Sequence, residues 1–207
     1  MDKKKIHHNK IEKLSNNPYL NLFHMDTSTK DGKHLDYYFA SRNKEEEIKI
    51  KTRALTPEGM MVYPLWKDNP GKIVMIRQYR YPLDEVIYEL PAGLIEKNET
   101  SEMAAIREMK EETGLSFECY KDINPVYSRP FFMGPGFTDE TSCMVYGYAK
   151  GTISQELMES SELIEVILAD KQKVRQILKE ERVCIRTALL LMHFLESDEK
   201  DPFAFLK

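Results

Sequence analysis

Cysteine is scarce in this 207-residue sequence: Cys119, Cys143 and Cys184 are all there are. Their spacing fits neither a disulfide framework nor a zinc-ligand pattern, which excludes a stapled secreted scaffold and points to a reducing compartment. No stretch approaches the roughly 18 apolar residues of a membrane span, so no membrane role is expected. An excess of positive charge is missing too. Lys and Arg number 30 against 34 Asp and Glu, a formal charge of −4, so no global basic field marks a nucleic-acid binder. The opening Met1-Asp2-Lys3-Lys4-Lys5 is basic, but Ile6-His7-His8-Asn9 stands where a secretory signal needs an apolar run. The default is therefore a cytoplasmic protein. Long Pro/Gly/Ser linkers and internal repeats are also absent, and His7-His8 is too short a tract for a metal site.

What is present is a composition able to build a core, 42% hydrophobic and 31% charged. Length suggests one large domain or one domain with an appendage. Residues 1–16 are polar and read as a tail or a marginal helix. Residues 17–56 read as a hairpin subdomain, with runs from Tyr19 and over Leu35–Ala40 about the turn Lys30-Asp31-Gly32-Lys33. Such a hairpin is marginal alone and should pack on the core or on another subunit. The main domain is expected over 57–200. Its strands are Gly59–Trp66, Ile73–Ile76 (apolar on both faces, hence central), Val86–Leu90, Ser116–Tyr127, Thr141–Tyr148 and Leu163–Leu168. Helices are expected over Thr100–Thr113, 170–181 and 184–196. In the last, Ile185, Ala188, Leu189, Met192 and Leu195 make a stripe that reads as core or dimer contact rather than a ligand site. The sole tryptophan, Trp66, reads as core.

The stretch from Gly93 to Leu115, GLIEKNETSEMAAIREMKEETGL, carries the chemistry. On a helix Glu108, Glu111 and Glu112 fall within about 100° of arc. Glu99, in the loop before it, can fold towards the same face, and Arg107 offsets only part of the charge. Ala105, Ile106, Met109 and Thr113 occupy the arc expected to face the core. A solvated acidic face is one reading of such a helix. A cluster of hard oxygen donors for Mg²⁺ or Mn²⁺ is the other.

The offsets of the neighbouring residues favour the second reading. Gly93, Glu99, Arg107, Glu108, Met109, Glu111, Glu112, Gly114 and Leu115 resemble the Nudix hydrolase box at every specified position. Seven fixed letters at roughly 7% usage each give about 10⁻⁸ per starting point by chance. The resemblance implies an α/β fold, a Nudix-type α/β/α sandwich with a mixed sheet, here preceded by the N-terminal β-hairpin subdomain. It also implies a Mg²⁺-dependent pyrophosphatase, with Mn²⁺ as a possible substitute. By position, Glu108 and Glu112 match the main metal ligands, with Glu111 close by and the carbonyl of Ala92 as a backbone ligand. Arg107 matches the residue that orients Glu111.

Upstream, Arg77-Gln78-Tyr79-Arg80-Tyr81-Pro82 and Glu89-Leu90-Pro91-Ala92-Gly93 resemble the ADP-ribose pyrophosphatase subgroup, as does Pro130, fifteen residues after Leu115. Gly134-Pro135-Gly136-Phe137-Thr138-Asp139-Glu140 resembles that subgroup's catalytic loop, although a serine usually stands at the place of Gly134. Glu140 is the candidate general base, with Asp139 the alternative. Arg80 and Arg42 match phosphate-binding arginines. Tyr19 and Tyr37 match aromatics that sandwich the adenine, one from each subunit of a homodimer. The implied substrate is ADP-ribose, cleaved to AMP and ribose 5-phosphate. The alternatives are another nucleoside diphosphate derivative (GDP-mannose, ADP-glucose, a dinucleotide) or a non-catalytic nucleotide-sugar sensor. The box keeps all its acids and no helix-turn-helix accompanies it, which disfavours the sensor.

Overall fold

A computed structural model describes residues 8–157 and 163–207. In chain order the first elements are β1 (His8–Lys13), β2 (Asn21–Ser28), β3 (His34–Ser41), α1 (Lys49–Thr52), β4 (Gly59–Trp66), β5 (Lys72–Arg80), β6 (Glu85–Glu89) and β7 (Ala92–Leu94). Then come α2 (Ser101–Thr113), β8 (Ser116–Cys119), β9 (Phe131–Phe132), β10 (Thr141–Lys150), β11 (Ile164–Asp170), α3 (Lys171–Glu180) and α4 (Ile185–Glu196). They form two compact units. One is Met1–Glu58 with Pro130–Ser142, the other Gly59–Arg129 with Cys143–Lys207.

The first unit is built on the antiparallel sheet β1-β2-β3. Phe23, Met25 and Thr27 alternate inward along β2, and Phe23 stacks on Phe39 of β3 with ring centroids 5.3 Å apart. The expected hairpin is there, but residues 8–13 are neither tail nor helix. They form the third strand, with Ile11 opposite Met25 and the His8 ring bonded to Thr27 Oγ1 at 2.9 Å. Pairing with an open strand edge overrides the polar composition of the segment. Residues 1–7, the rest of the expected tail, lie outside the described residues, as does His7.

The second unit is a mixed sheet in the order β11-β5-β4-β10-β8, with β6 on β5 and β7 on β4. β5 and β11 are antiparallel, with Ile76 opposite Val166. Alternation along β4 separates two cores. Met60 and Val62 join Ala104, Ala105 and Met109 of α2 on one face. Met61, Tyr63 and Leu65 join Ile177 of α3 and Leu191 and Phe194 of α4 on the other. This is the α/β/α sandwich expected, with Ile73 to Ile76 fully buried at its centre. Among the described residues, no helix is long and apolar enough to cross a membrane.

Two expectations fail for physical reasons. The strand from Ser116 stops at Cys119: the Tyr120 N–H still bonds the Tyr146 carbonyl, but the Asn124 N–H turns to the Leu206 carbonyl, and Asn124 then caps a short 3₁₀ turn at Pro125 through the Val126 N–H at 3.1 Å. As core, the stripe on α4 fails in part: Leu195 packs against the core, but Ile185, Leu189 and Met192 are 72%, 61% and 53% exposed, which leaves dimer contact as their reading. The helix buries Thr187, Leu191 and Phe194 instead. Thr187 Oγ1 accepts the buried Leu90 N–H at 3.1 Å, and satisfying that donor fixes which face turns inward. Accordingly, Leu191→Ala should destabilise the fold by about 2–5 kcal/mol, and Leu189→Ala by under about 0.5 kcal/mol, in urea unfolding. Comparable losses would show that the helix is rotated from this orientation.

Candidate functional site

Helix α2 begins where Thr100 accepts the Met103 N–H at 3.2 Å and ends at Gly114, whose φ is +75°. A Cβ at Gly114 would also lie 2.5 Å from the Ser154 backbone nitrogen, so only glycine fits. Between these ends Ala104, Ala105, Met109, Glu112 and Thr113 are buried. Glu112 is therefore part of the inward arc, 1% exposed, while Ile106 turns out at 46%. That reverses the expectation for Ile106.

Arg107 gathers the other acids. Its Nε and Nη2 donate to the two oxygens of Glu99, each at 3.0 Å. Nη1 donates to Glu108 at 2.8 Å and to Glu111 at 3.0 Å, and Nη2 also reaches the Leu94 carbonyl at 2.9 Å. Hydrogen bonds from Arg107 hold the Glu99 carboxyl below its ordinary range, while Glu99 first and then Glu108 and Glu111 make the guanidinium harder to deprotonate. Arg107 thus orients Glu111, Glu108 and Glu99 together.

Gly93, in β7, lies directly under this group. A Cβ there would come within 1.8 Å of Glu108 Oε1, so the Glu108 carboxylate occupies the space a side chain would take. Ala92 precedes it, opposite Met61 of β4. Among the described residues no three His, Cys, Asp or Glu side chains stand in a ready-made metal arrangement. The donor chemistry nonetheless fits a hard divalent cation: Glu108, Glu111 and Glu112 come from one rigid helix, Glu112 is buried, and a single arginine offsets the group.

Arg80 ends β5 with its Nε 2.5 Å from Glu89 Oε2. Glu89 is 5% exposed, so a buried acid sets the direction of a partly exposed guanidinium.

The remaining expected residues belong to the first unit. Arg42 Nε lies 3.3 Å from Glu140 Oε1. Asp139 accepts the Lys49 N–H through Oδ2 at 2.9 Å, which commits that carboxylate to the backbone. Tyr37 donates its hydroxyl to the Gly136 carbonyl at 2.5 Å and, with Met25, Phe39 and Phe132, lines a cavity of about 240 Å³. Tyr19 is 74% exposed just before β2. Within one chain the two tyrosines are not brought together: Tyr37 faces Met25, while β2 begins with Asn21 opposite Ser41.

Three residues had no role assigned from the sequence: Glu89 stood in a recognised motif, while Lys49 and Glu58 carried no local signal. Glu89 supports Arg80, and Lys49 and Glu58 form an ion pair with 8% and 12% side-chain exposure.

Comparison with known proteins identifies the family. A NUDIX domain profile matches residues 55–184. The chain is 37% identical over 108 residues to an ADP-ribose pyrophosphatase of Bacillus subtilis (strain 168), covering 50% of this chain and 56% of that one. It is 35% identical over 135 residues to a methanol dehydrogenase activator of Bacillus methanolicus, covering 63% and 69%. Against an ADP-ribose pyrophosphatase of Saccharomyces cerevisiae it is 39% identical over 88 residues, covering 42% and 36%. The chain thus spans about half the length of most of these relatives. A solved structure described as "Crystal structure of ADP compounds hydrolase" superposes with a TM-score of 0.65 at 18% identity, covering 91% of this chain and 92% of that one, and shows the same fold. The chain belongs to the Nudix family. Within it, the likeness extends to proteins named ADP-ribose pyrophosphatases.

Since the Glu108 side chain can swing away, Gly93→Ala should leave stability within about 1 kcal/mol of wild type while moving the carboxylate. Turnover should fall by about 10²-fold, a misplacement effect measurable in steady-state assays. Arg107→Gln should destabilise most at neutral pH. Glu99 has a depressed folded pKa, so its contribution is full above its unfolded value near 4.5 and lost as pH falls through the folded one. The stability difference from wild type should therefore shrink on acidification, as read by thermal unfolding from pH 7 to pH 3.

Proposed function

We propose that the protein is a Mg²⁺-dependent pyrophosphatase that hydrolyses ADP-ribose, or a closely related ADP sugar, to AMP and a sugar phosphate. For ADP-ribose the second product is ribose 5-phosphate. The carrying observation is the set of three carboxylates gathered by Arg107, with a fourth, Glu112, buried on the same helix and Glu108 seated over Gly93. Names of relatives support the substrate class, including an ADP-sugar pyrophosphatase of Mus musculus at 37% identity over 103 residues.

Glu108, Glu111, Glu112 and the Ala92 carbonyl would hold the metal. When bound, it neutralises the diphosphate's charge, polarises its oxygens and makes a bound water more acidic. The remaining work belongs to the chain. Arg107 keeps Glu99, Glu108 and Glu111 oriented, and its contacts to Glu108 and Glu111 are those a cation would compete for. Arg80, steadied by Glu89, and Arg42 bind phosphate oxygens through their forked donors. Tyr19 and Tyr37 stack on the adenine, one from each subunit of a homodimer. Glu140 takes the proton of the attacking water, whose oxygen bonds to phosphorus as the bridging P–O bond breaks. Asp139 is the weaker candidate, since one of its oxygens is committed to the Lys49 N–H.

A panel of ADP-ribose, ADP-glucose, GDP-mannose and a dinucleotide, with Mg²⁺ or Mn²⁺ and phosphate release after phosphatase coupling, tests the assignment. ADP-ribose is expected to be cleaved fastest, and Glu112→Gln should lower kcat by about 10³-fold or more with the fold intact. Near-normal turnover of that variant in excess Mg²⁺ would overturn the metal assignment. Tight ADP-ribose binding without metal-stimulated cleavage would favour a sensor.

A further inference from the structure

Both neighbours of Glu140 are tied down: Asp139 through its side chain to the Lys49 backbone, and Thr141 through its backbone to the Glu58 carboxylate, whose other oxygen pairs with the Lys49 ammonium. On the N-terminal side, Asp139 Oδ2 accepts the Lys49 N–H at 2.9 Å. On the C-terminal side, Glu58 Oε2 accepts the Thr141 N–H at 2.7 Å and lies 3.2 Å from the Thr141 hydroxyl. The Glu58 N–H returns a bond to the Thr141 carbonyl at 3.0 Å. The other oxygen of Glu58 accepts from Lys49 Nζ and, at 2.8 Å, from Asn43 Nδ2. Lys49 Nζ also donates to the Thr56 carbonyl at 2.9 Å. Burial alone pushes the Glu58 carboxyl up, but bonds from Lys49, Thr141 and Asn43 outweigh it and keep the carboxylate ionised.

Replacing a buried ion pair by apolar side chains of similar volume is often neutral or stabilising, so stability is a weak explanation for this one. Geometry is a better one. Glu58 presents acceptors in two directions, to Thr141 on one side and to Lys49 and Asn43 on the other. No neutral side chain of that size can do so, because an amide offers an acceptor on one side only.

We propose that Glu58, held by Lys49, is a positioning residue for the Glu140 carboxylate: it fixes the backbone from which the base projects. The proposal rests on Glu140 acting as the base. It makes Glu58 and Lys49 part of the chemistry without contact to substrate or cation.

The test uses two variants of the full chain. Glu58→Gln turns an NH₂ group towards the donors of Lys49 and Asn43, or else loses the Thr141 tie. The double variant Lys49→Met/Glu58→Leu removes both charges, so no lone buried ammonium remains to unfold the unit. In each, kcat for ADP-ribose with Mg²⁺ should fall about 10²-fold with KM changed by less than about twofold. Amide hydrogen exchange should quicken by about tenfold or more over residues 138–141, with β2 and β3 amides as protected as before. A merely structural role would lower protection throughout the unit. Glu58→Gln combined with Glu140→Gln should be no slower than Glu140→Gln alone. If Glu140→Gln is inactive while the Glu58 variants keep wild-type kcat, the positioning role is wrong and the base assignment stands. If Glu140→Gln itself turns over normally, the base assignment falls and the positioning role falls with it.

Discussion

Crowding of like charge on and beside one helical turn is the constraint on which the structure of the site depends. Glu108, Glu111 and Glu112 on α2 and Glu99 just before it supply four negative groups, and the Arg107 guanidinium bonds three of them. Each like-charge pair at these spacings costs a few tenths of a kcal/mol. Burial of Met109 alone returns about 1.5–3 kcal/mol, and the Thr100 cap adds about 1 kcal/mol. The helix therefore tolerates its acids because its opposite arc is anchored. The excess negative charge that remains is available to a cation, and a diphosphate can enter such a pocket only with cations between.

That part of the molecule was legible because it is local. Spacings of three and four residues fix which side chains share a helix face, and Thr100 and Gly114 are end signals readable in the sequence. The Gly93 contact was not readable, since a glycine at a turn looks the same whether or not a carboxylate sits on it. Nor was the face of α4 readable. Apolar residues encircle that helix, and the choice between Leu189 and Leu191 depends on Thr187 meeting a buried N–H from Leu90, nearly a hundred residues away in sequence. β1 was missed because pairing supplied what composition did not. The strand beyond Cys119 was overextended because apolar and β-branched residues continued past the point where the pairing ends.

The residues around Glu140 show a second kind of limit. The loop is recognisable from its glycines and acids, yet what holds it lies some 80 to 90 residues upstream, in Lys49 and Glu58. A lysine in a charged stretch and a glutamate after a proline carry no mark of burial. Their role emerges only when the chain places both ammonium and carboxylate out of water, where each needs the other.

The two groups of acids are thus held by different physics. Those on α2 derive their positions from helix geometry and a hydrophobic arc, which resist small changes of sequence. Glu140 derives its position from polar ties on its neighbours, which fail together when one member is lost. Its own carboxylate forms an ion pair with Arg42, the Nε lying 3.3 Å from Oε1. The arginine is partly exposed, so it keeps donors for other acceptors while its charge steadies the Glu140 side chain. The neighbours of Glu140 are fixed by these ties, while the Glu140 and Arg42 side chains stay partly exposed and free to adjust.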